Sequence, residues 1–264
     1  MADAILDRML ADAPGFGRCR GCPHLATGTA MLCYRCARRT MEPLAAFRDR
    51  CGVCDQAFGE GQTTCRNPVC GMTPDERWFD WNYAIAMRTA WLKSAIDSYK
   101  YSDQRHWAAI FGRILIGFLW AEHETFKNVD LIVGSPVFIG PGARRRWDHV
   151  REIIVAADRE QEVAWLNPWD LDLEDPPALI KTAETPKMVG LKAAQRKQAA
   201  EHELRAALAV PDRTRTQGKV VAVFDDIFTA GWTLREEARA LKLLGGARAV
   251  VGITLARQPY AAPA

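Results

Sequence analysis

Apolar residues recur at helical spacing along residues 81–99, at Ile85, Trp91, Leu92, Ala95, Ile96 and Tyr99, and this predicts a long helix. A second helix is predicted over 107–120, from Ile110, Phe111, Ile114, Leu115 and Phe118. The pattern then changes period. Val129, Leu131, Ile132 and Val133 form a short apolar run closed by Gly134, Ser135 and Pro136, the signature of a buried strand. Residues 147–157 read as helix and 162–166 as a strand. The polar, proline-containing stretch 167–186 reads as a loop or flap. Residues 189–209, rich in Ala, Lys, Gln and Glu, read as helix. Residues 219–224 form another buried strand, 234–244 a helix closed by Gly245 and Gly246, and 249–255 a last strand. Strands alternating with helices predict an α/β fold with a parallel sheet.

The first 77 residues follow no such pattern. All eight cysteines lie there, at positions 19, 22, 33, 36, 51, 54, 65 and 70. Two copies of one unit are visible: Cys19-x2-Cys22-x10-Cys33-x2-Cys36 is followed by Cys51-x2-Cys54-x10-Cys65-x4-Cys70. Neither copy has the apolar residues for a core of its own. Four thiolates satisfy the tetrahedral demand of zinc, and two cysteines separated by two residues grip one ion from a tight turn. Eight cysteines therefore predict two structural zinc ions. Sequential pairing gives each copy its own ion, and a cross-braced pairing that mixes the copies is the alternative. A closed four-thiolate site leaves no position open for catalysis. Residues 72–77 read as a linker, dividing the chain into a zinc module (1–77) and an α/β domain (78–264).

The strand at 219–224 runs into Asp225 and Asp226, and a short loop, Thr229-Ala230-Gly231-Trp232-Thr233, opens the next helix. Backbone N–H groups at a helix start form an anion site favoured by the helix dipole. Thr229 and Thr233 add hydroxyl donors, and Gly231 lets the backbone approach closely. Only the N–H of Trp232 is needed, so its side chain is expected to point outward. Paired carboxylates beside a phosphate make sense if they accept hydrogen bonds from sugar hydroxyls or face a metal.

Residues 220–233 resemble the phosphoribosyl pyrophosphate (PRPP) signature of type I phosphoribosyltransferases. The resemblance implies that Asp225 and Asp226 bind ribose and that Thr229 to Thr233 bind the 5′-phosphate. Cysteine pairs ahead of such a domain further resemble the ComF family, over nearly the whole chain. Lys100-Tyr101, at the end of a helix, looks like that family's K-Y segment. Ser135-Pro136-Val137 looks like its P-V-P turn, which implies a pyrophosphate loop. Arg145 to His149 resembles its R-G-F-N-Q motif, Thr185, Leu191 and Arg196 match single positions, and Leu255-Ala256-Arg257 looks like its terminal L-A-R. Arg146 stands where the family has glycine, His149 and Met188 where it has glutamine. The sugar-phosphate half thus follows the family pattern more closely than the pyrophosphate half.

Three functional readings stay open. One is an enzyme that binds PRPP with Mg²⁺ and transfers ribose 5-phosphate to a nitrogen acceptor, with Arg144, Arg145, Arg146 or Lys187 meeting the pyrophosphate. The second, implied by the ComF resemblance, is a non-enzymatic protein that binds PRPP or a nucleotide and touches single-stranded DNA through the zinc module. Seven arginines against two acids between Arg18 and Arg50, with Tyr34 and Phe47, would serve there. The third is a PRPP-responsive regulator without turnover. A formal charge of +3 does not decide between them. No apolar run approaches a membrane span and the first residues lack a secretory pattern, so a cytoplasmic location is expected. Neither the acceptor nor the oligomeric state follows from the sequence.

Overall fold

The computed structural model describes residues 37, 41, 44, 47–59, 61–163, 169–186, 191 and 193–259. Its centre is a four-stranded parallel sheet of β1 (Asn82–Met87), β2 (Leu131–Gly134), β5 (Val220–Phe228) and β6 (Ala249–Arg257), in the order β1-β6-β5-β2. Strands of a parallel sheet are covered on both faces and read as continuous apolar runs; Val221 to Phe224 and Val250 to Ala256 are such runs, all buried.

One face carries α1 (Ala90–Tyr101), α2 (Trp107–Ala121) and α3 (His149–Val163). Helix α2 is buried along most of its length and crosses α3 closely. A Cβ at Gly112 would lie 2.6 Å from the Ala157 backbone nitrogen, so only glycine permits this approach. The Arg113–Glu160 pair, 2.8 Å apart and buried, joins the same two helices. The opposite face carries α4 (Ala193–Ala199), which continues through a π-helical turn (Ala200–Leu204), and α5 (Trp232–Leu243). A two-stranded antiparallel ribbon of β3 (Ile180–Lys181) and β4 (Leu208–Ala209) lies within the connection from β2 to β5.

Several elements differ from the periodicity reading. The helix expected to reach residue 209 ends at Ala207, and Leu208–Ala209 is strand β4, paired with β3 inside the stretch expected as a loop. Residues 82–87 are an edge strand rather than the first turns of a helix, which begins only at Ala90. A run as short as Tyr83 to Met87, buried on both sides, carries no period of its own, and Ile85 belongs to it. At 162–166 the expected strand is helix α3 as far as Val163, the remainder lying outside the described residues. The acid-bearing strand is also longer than expected. Hydrogen bonding to β6 holds β5 extended through Asp225 and Asp226 as far as Phe228, paired with Arg257.

Residues 51–70 pack directly on the sheet. Cys51, Cys54 and Val69 share a core with Phe79, Val223, Phe228 and Trp232. Val53 accepts a bond from the Asn82 amide (2.8 Å), and the Asp55 carboxylate takes the Ala84 amide of edge strand β1 (3.0 Å). Residues 74–77 form one helical turn, from which buried Arg77 donates to the carbonyls of Met72, Phe79 and Asp80.

Candidate functional site

All four strands point the same way, so the segments that follow them gather at one end of the sheet. Ser135-Pro136 follows β2 and the 229–233 loop follows β5, and ligands of open parallel sheets bind beyond this carboxyl end. The two places meet: Ser135 donates its hydroxyl to Glu237 Oε1 on α5 (2.6 Å), and its amide to the Phe224 carbonyl (2.8 Å).

Alternation along β5 sends the adjacent acids to opposite faces. Asp226 is buried on the α1–α3 side, where Lys100 Nζ lies 2.6 Å and His149 Nε2 3.1 Å from its Oδ2. The Tyr99 hydroxyl donates to the His149 carbonyl (2.7 Å), and the Trp147 ring packs on Tyr99 at 4.8 Å. Burial pushes the Asp226 carboxyl up, but the Lys100 ammonium and the His149 hydrogen bond outweigh it and hold the group well below the usual range. Burial likewise pulls Lys100 down, and the Asp226 and Asp225 charges reverse this, leaving it above its ordinary value.

Asp225 faces α5. It lines a cavity of about 20 Å³ with Asn82, Thr229, Gly231, Thr233 and Glu237, room for one water at most. Burial and the charges of Asp226 and Glu237 push its carboxyl well above the usual range. Glu237 is 1% exposed, and its Oε2 has no hydrogen-bond partner among the described residues. Burial pushes it up to about 7, against the pull of Ser135 and Lys181.

The loop itself turns on Gly231, whose φ of +81° caps the 12-residue helix α5. A Cβ there would sit 2.6 Å from the Phe228 ring and 2.8 Å from Val69, so both conformation and space require glycine. Ala230 is buried. Trp232, expected outward, is buried too: it packs within the core beneath α4, with Arg235 and Lys197 5.6 and 5.9 Å from its ring.

Cys51, Cys54, Cys65 and Cys70 come together with their sulfur atoms within 4.8 Å of one another. Zinc–sulfur bonds of about 2.3 Å in a tetrahedron put the sulfurs about 3.8 Å apart, and Cys54 Sγ to Cys65 Sγ is 3.7 Å. The Val53 amide approaches Cys51 Sγ at 3.4 Å. These four cysteines lie close enough to bind one metal ion, and their thiolate chemistry fits zinc. They are the four of one sequence copy. Cys19, Cys22, Cys33 and Cys36 lie outside the described residues, as do Tyr34, Lys187 and Met188.

The expected pyrophosphate arginines divide. Arg144 is bound to Glu184 and to the Thr185 carbonyl, Arg145 donates to the Lys100 carbonyl (2.5 Å) and lies over Tyr101, and Arg146 is exposed. Four residues were given no chemical role in the sequence: Glu237 and Asn82, and Lys100 and Arg257, which entered only as parts of the K-Y and L-A-R segments. Two also carry a periodic signal. Lys100 follows Ile96 by four residues, and Glu237 follows Leu234 by three and precedes Leu241 by four, so each charge sits on an apolar stripe.

No protein-family model matches the chain, and no curated protein matches it.

Proposed function

We propose that the chain is a PRPP-binding protein of the type I phosphoribosyltransferase kind, resembling the ComF family, with a zinc-bearing N-terminal module. The observation that carries this reading is the placement of Asp225 and Asp226 at the carboxyl end of a central parallel strand, followed at once by the Gly231 turn that opens α5. In this reading the two acids hold the ribose hydroxyls. The loop amides with the Thr229 and Thr233 hydroxyls hold the 5′-phosphate, and the Ser135-Pro136 segment flanks the pyrophosphate.

The electrostatics support it. Lys100 and His149 hold the Asp226 carboxyl well below the usual range, while burial and the neighbouring acids push that of Asp225 above it, so the two acids are set to different tasks. Among the described residues the only cluster of three or more metal-binding side chains is the four-cysteine one. Mg²⁺, if it accompanied PRPP, would be met by Asp225 or Asp226 and would supply charge neutralisation to the pyrophosphate leaving group. The chain's own residues fix the sugar and phosphate so that a nitrogen acceptor meets C1 in line.

Pyrophosphate release from PRPP, assayed with Mg²⁺ and a panel of bases and amines, tests the transfer. Release that Asp225→Asn/Asp226→Asn abolishes is the expected result; bound PRPP with no release for any acceptor would make the protein a sensor.

One observation favours a second reading, a single-stranded-DNA surface. Arg48, Arg50, Trp81 and Tyr83 line a groove of about 490 Å³ along edge strand β1, with Trp81 40% exposed. Arginine beside exposed aromatic rings suits stacked bases.

A further inference from the structure

Arg257 ends β6 with its side chain fully buried, 0% exposed. Its guanidinium reaches two ways. Toward the cysteines, Nε donates to the Cys54 carbonyl (3.0 Å) and Nη2 to Cys54 Sγ (3.3 Å). Toward the loop, Nη1 donates to the carbonyls of Phe228 (3.2 Å) and Thr229 (2.9 Å), and also to that of Gln258 (2.5 Å). Two more residues between Cys65 and Cys70 touch the loop. Asn67 bonds the Thr229 carbonyl (3.3 Å) or, with its amide turned over, bonds Ala230 O and Arg257 Nη2 instead. Val69 lies where a Cβ on Gly231 would fall. The four-cysteine unit is therefore the floor on which the 229–233 loop rests.

A buried guanidinium demands a counter-charge. Among the described residues no carboxylate pairs with Arg257; its partners are carbonyls, the Cys54 sulfur and the Phe228 ring, whose centre lies 4.8 Å from the guanidinium carbon. A divalent ion on four thiolates carries −2 (2 − 4), so a filled metal centre supplies the missing charge at the point where Arg257 already donates. The rigid fork of the same guanidinium then fixes the two carbonyls that lead into the Gly231 turn, a task a lysine's single ammonium cannot perform.

We infer that Arg257 is a positioning residue that couples the four-cysteine centre to the 229–233 loop, so that metal in the centre orders the loop and tightens its hold on a phosphorylated ligand. That the ligand is PRPP rests on the function proposed above; the coupling of centre and loop does not.

Amide hydrogen exchange on the full chain, zinc-loaded and after chelation, reads the coupling without any ligand. Chelation should speed exchange of the amides that hydrogen-bond to the loop's carbonyls, Arg235 on Gly231 and Gln258 on Phe228, by about tenfold or more, while the amides of α2 and α3 stay protected. Arg257→Lys, with its zinc content verified, should exchange fast at the loop even when loaded and show no further change on chelation. This variant ties the effect to the described centre rather than to metal on Cys19 to Cys36. Loop amides indifferent to zinc, a lysine variant that behaves as wild type, or loss of protection throughout α2 and α3 on chelation would each overturn the inference. PRPP titration in parallel separates the two ideas. If loop exchange follows zinc but the loaded chain ignores PRPP, the proposed function fails and the coupling stands. If PRPP binds equally with and without zinc, the coupling fails and the function stands.

Discussion

Asp225 and Asp226 are the same side chain one residue apart, yet their surroundings drive them in opposite directions. The cause is the period of a strand: one acid faces Lys100 and His149, the other faces Glu237 and the loop. Lys100 therefore carries much of the site's electrostatics. Lys100→Met leaves a buried carboxylate short of its counter-charge and should cost roughly 3 kcal/mol in urea denaturation at neutral pH. Adding Asp226→Asn should recover most of that loss, because the charge needing a partner is then gone. Independent, additive losses would mean the pair is not coupled. The two acids and the loop were legible in the sequence because a strand, two carboxylates and a Thr/Gly turn are contiguous. Lys100 lies far from Asp226 in sequence, and nothing local names its partner; the residue was visible as part of the K-Y segment and as a charge on an apolar stripe, without its role.

At the scale of elements, α5 joins three functions: its first turn closes the loop, its apolar stripe packs on the sheet, and Glu237 meets Ser135 from the other loop. Glu237 is raised from an ordinary value of 4.5 to about 7. A carboxyl that folding makes harder to ionise costs nothing below its unfolded pKa. The cost grows as pH rises through the window from 4.5 to 7 and is constant above it. Glu237→Gln keeps the shape and removes the titration. Its stability relative to wild type should therefore rise between pH 5 and pH 8, by up to about 3 kcal/mol, as measured by denaturant midpoints at both pH values. A difference that does not change with pH would show that Glu237 ionises normally. Elements with a clear period, such as α2 and α5, were legible from sequence to within a residue or two. Strand β1 was not, because five buried residues fit a helix as well as a strand. Its pairing with β6, and the Asp55 carboxylate on its Ala84 amide, are long-range facts that decide the matter.

At the scale of the whole molecule, three layers enclose the carboxyl end of a parallel sheet between α1–α3 on one side and α4–α5 on the other. Residues 51–70 close its base. The cysteine spacing pointed to four-thiolate centres. It did not reveal that one such unit would pack against Phe228 and Gly231, since that contact depends on how β1, β5 and β6 align. Among the described residues no helix is long and apolar enough to cross a membrane.

The central claim is that this sheet end binds PRPP. Calorimetric titration of the zinc-loaded chain with PRPP and Mg²⁺, set against Asp225→Asn/Asp226→Asn, tests it most directly. The account predicts saturable binding that the double variant loses while it remains folded. Absence of heat from the wild-type chain, or equal binding by the variant, would contradict it.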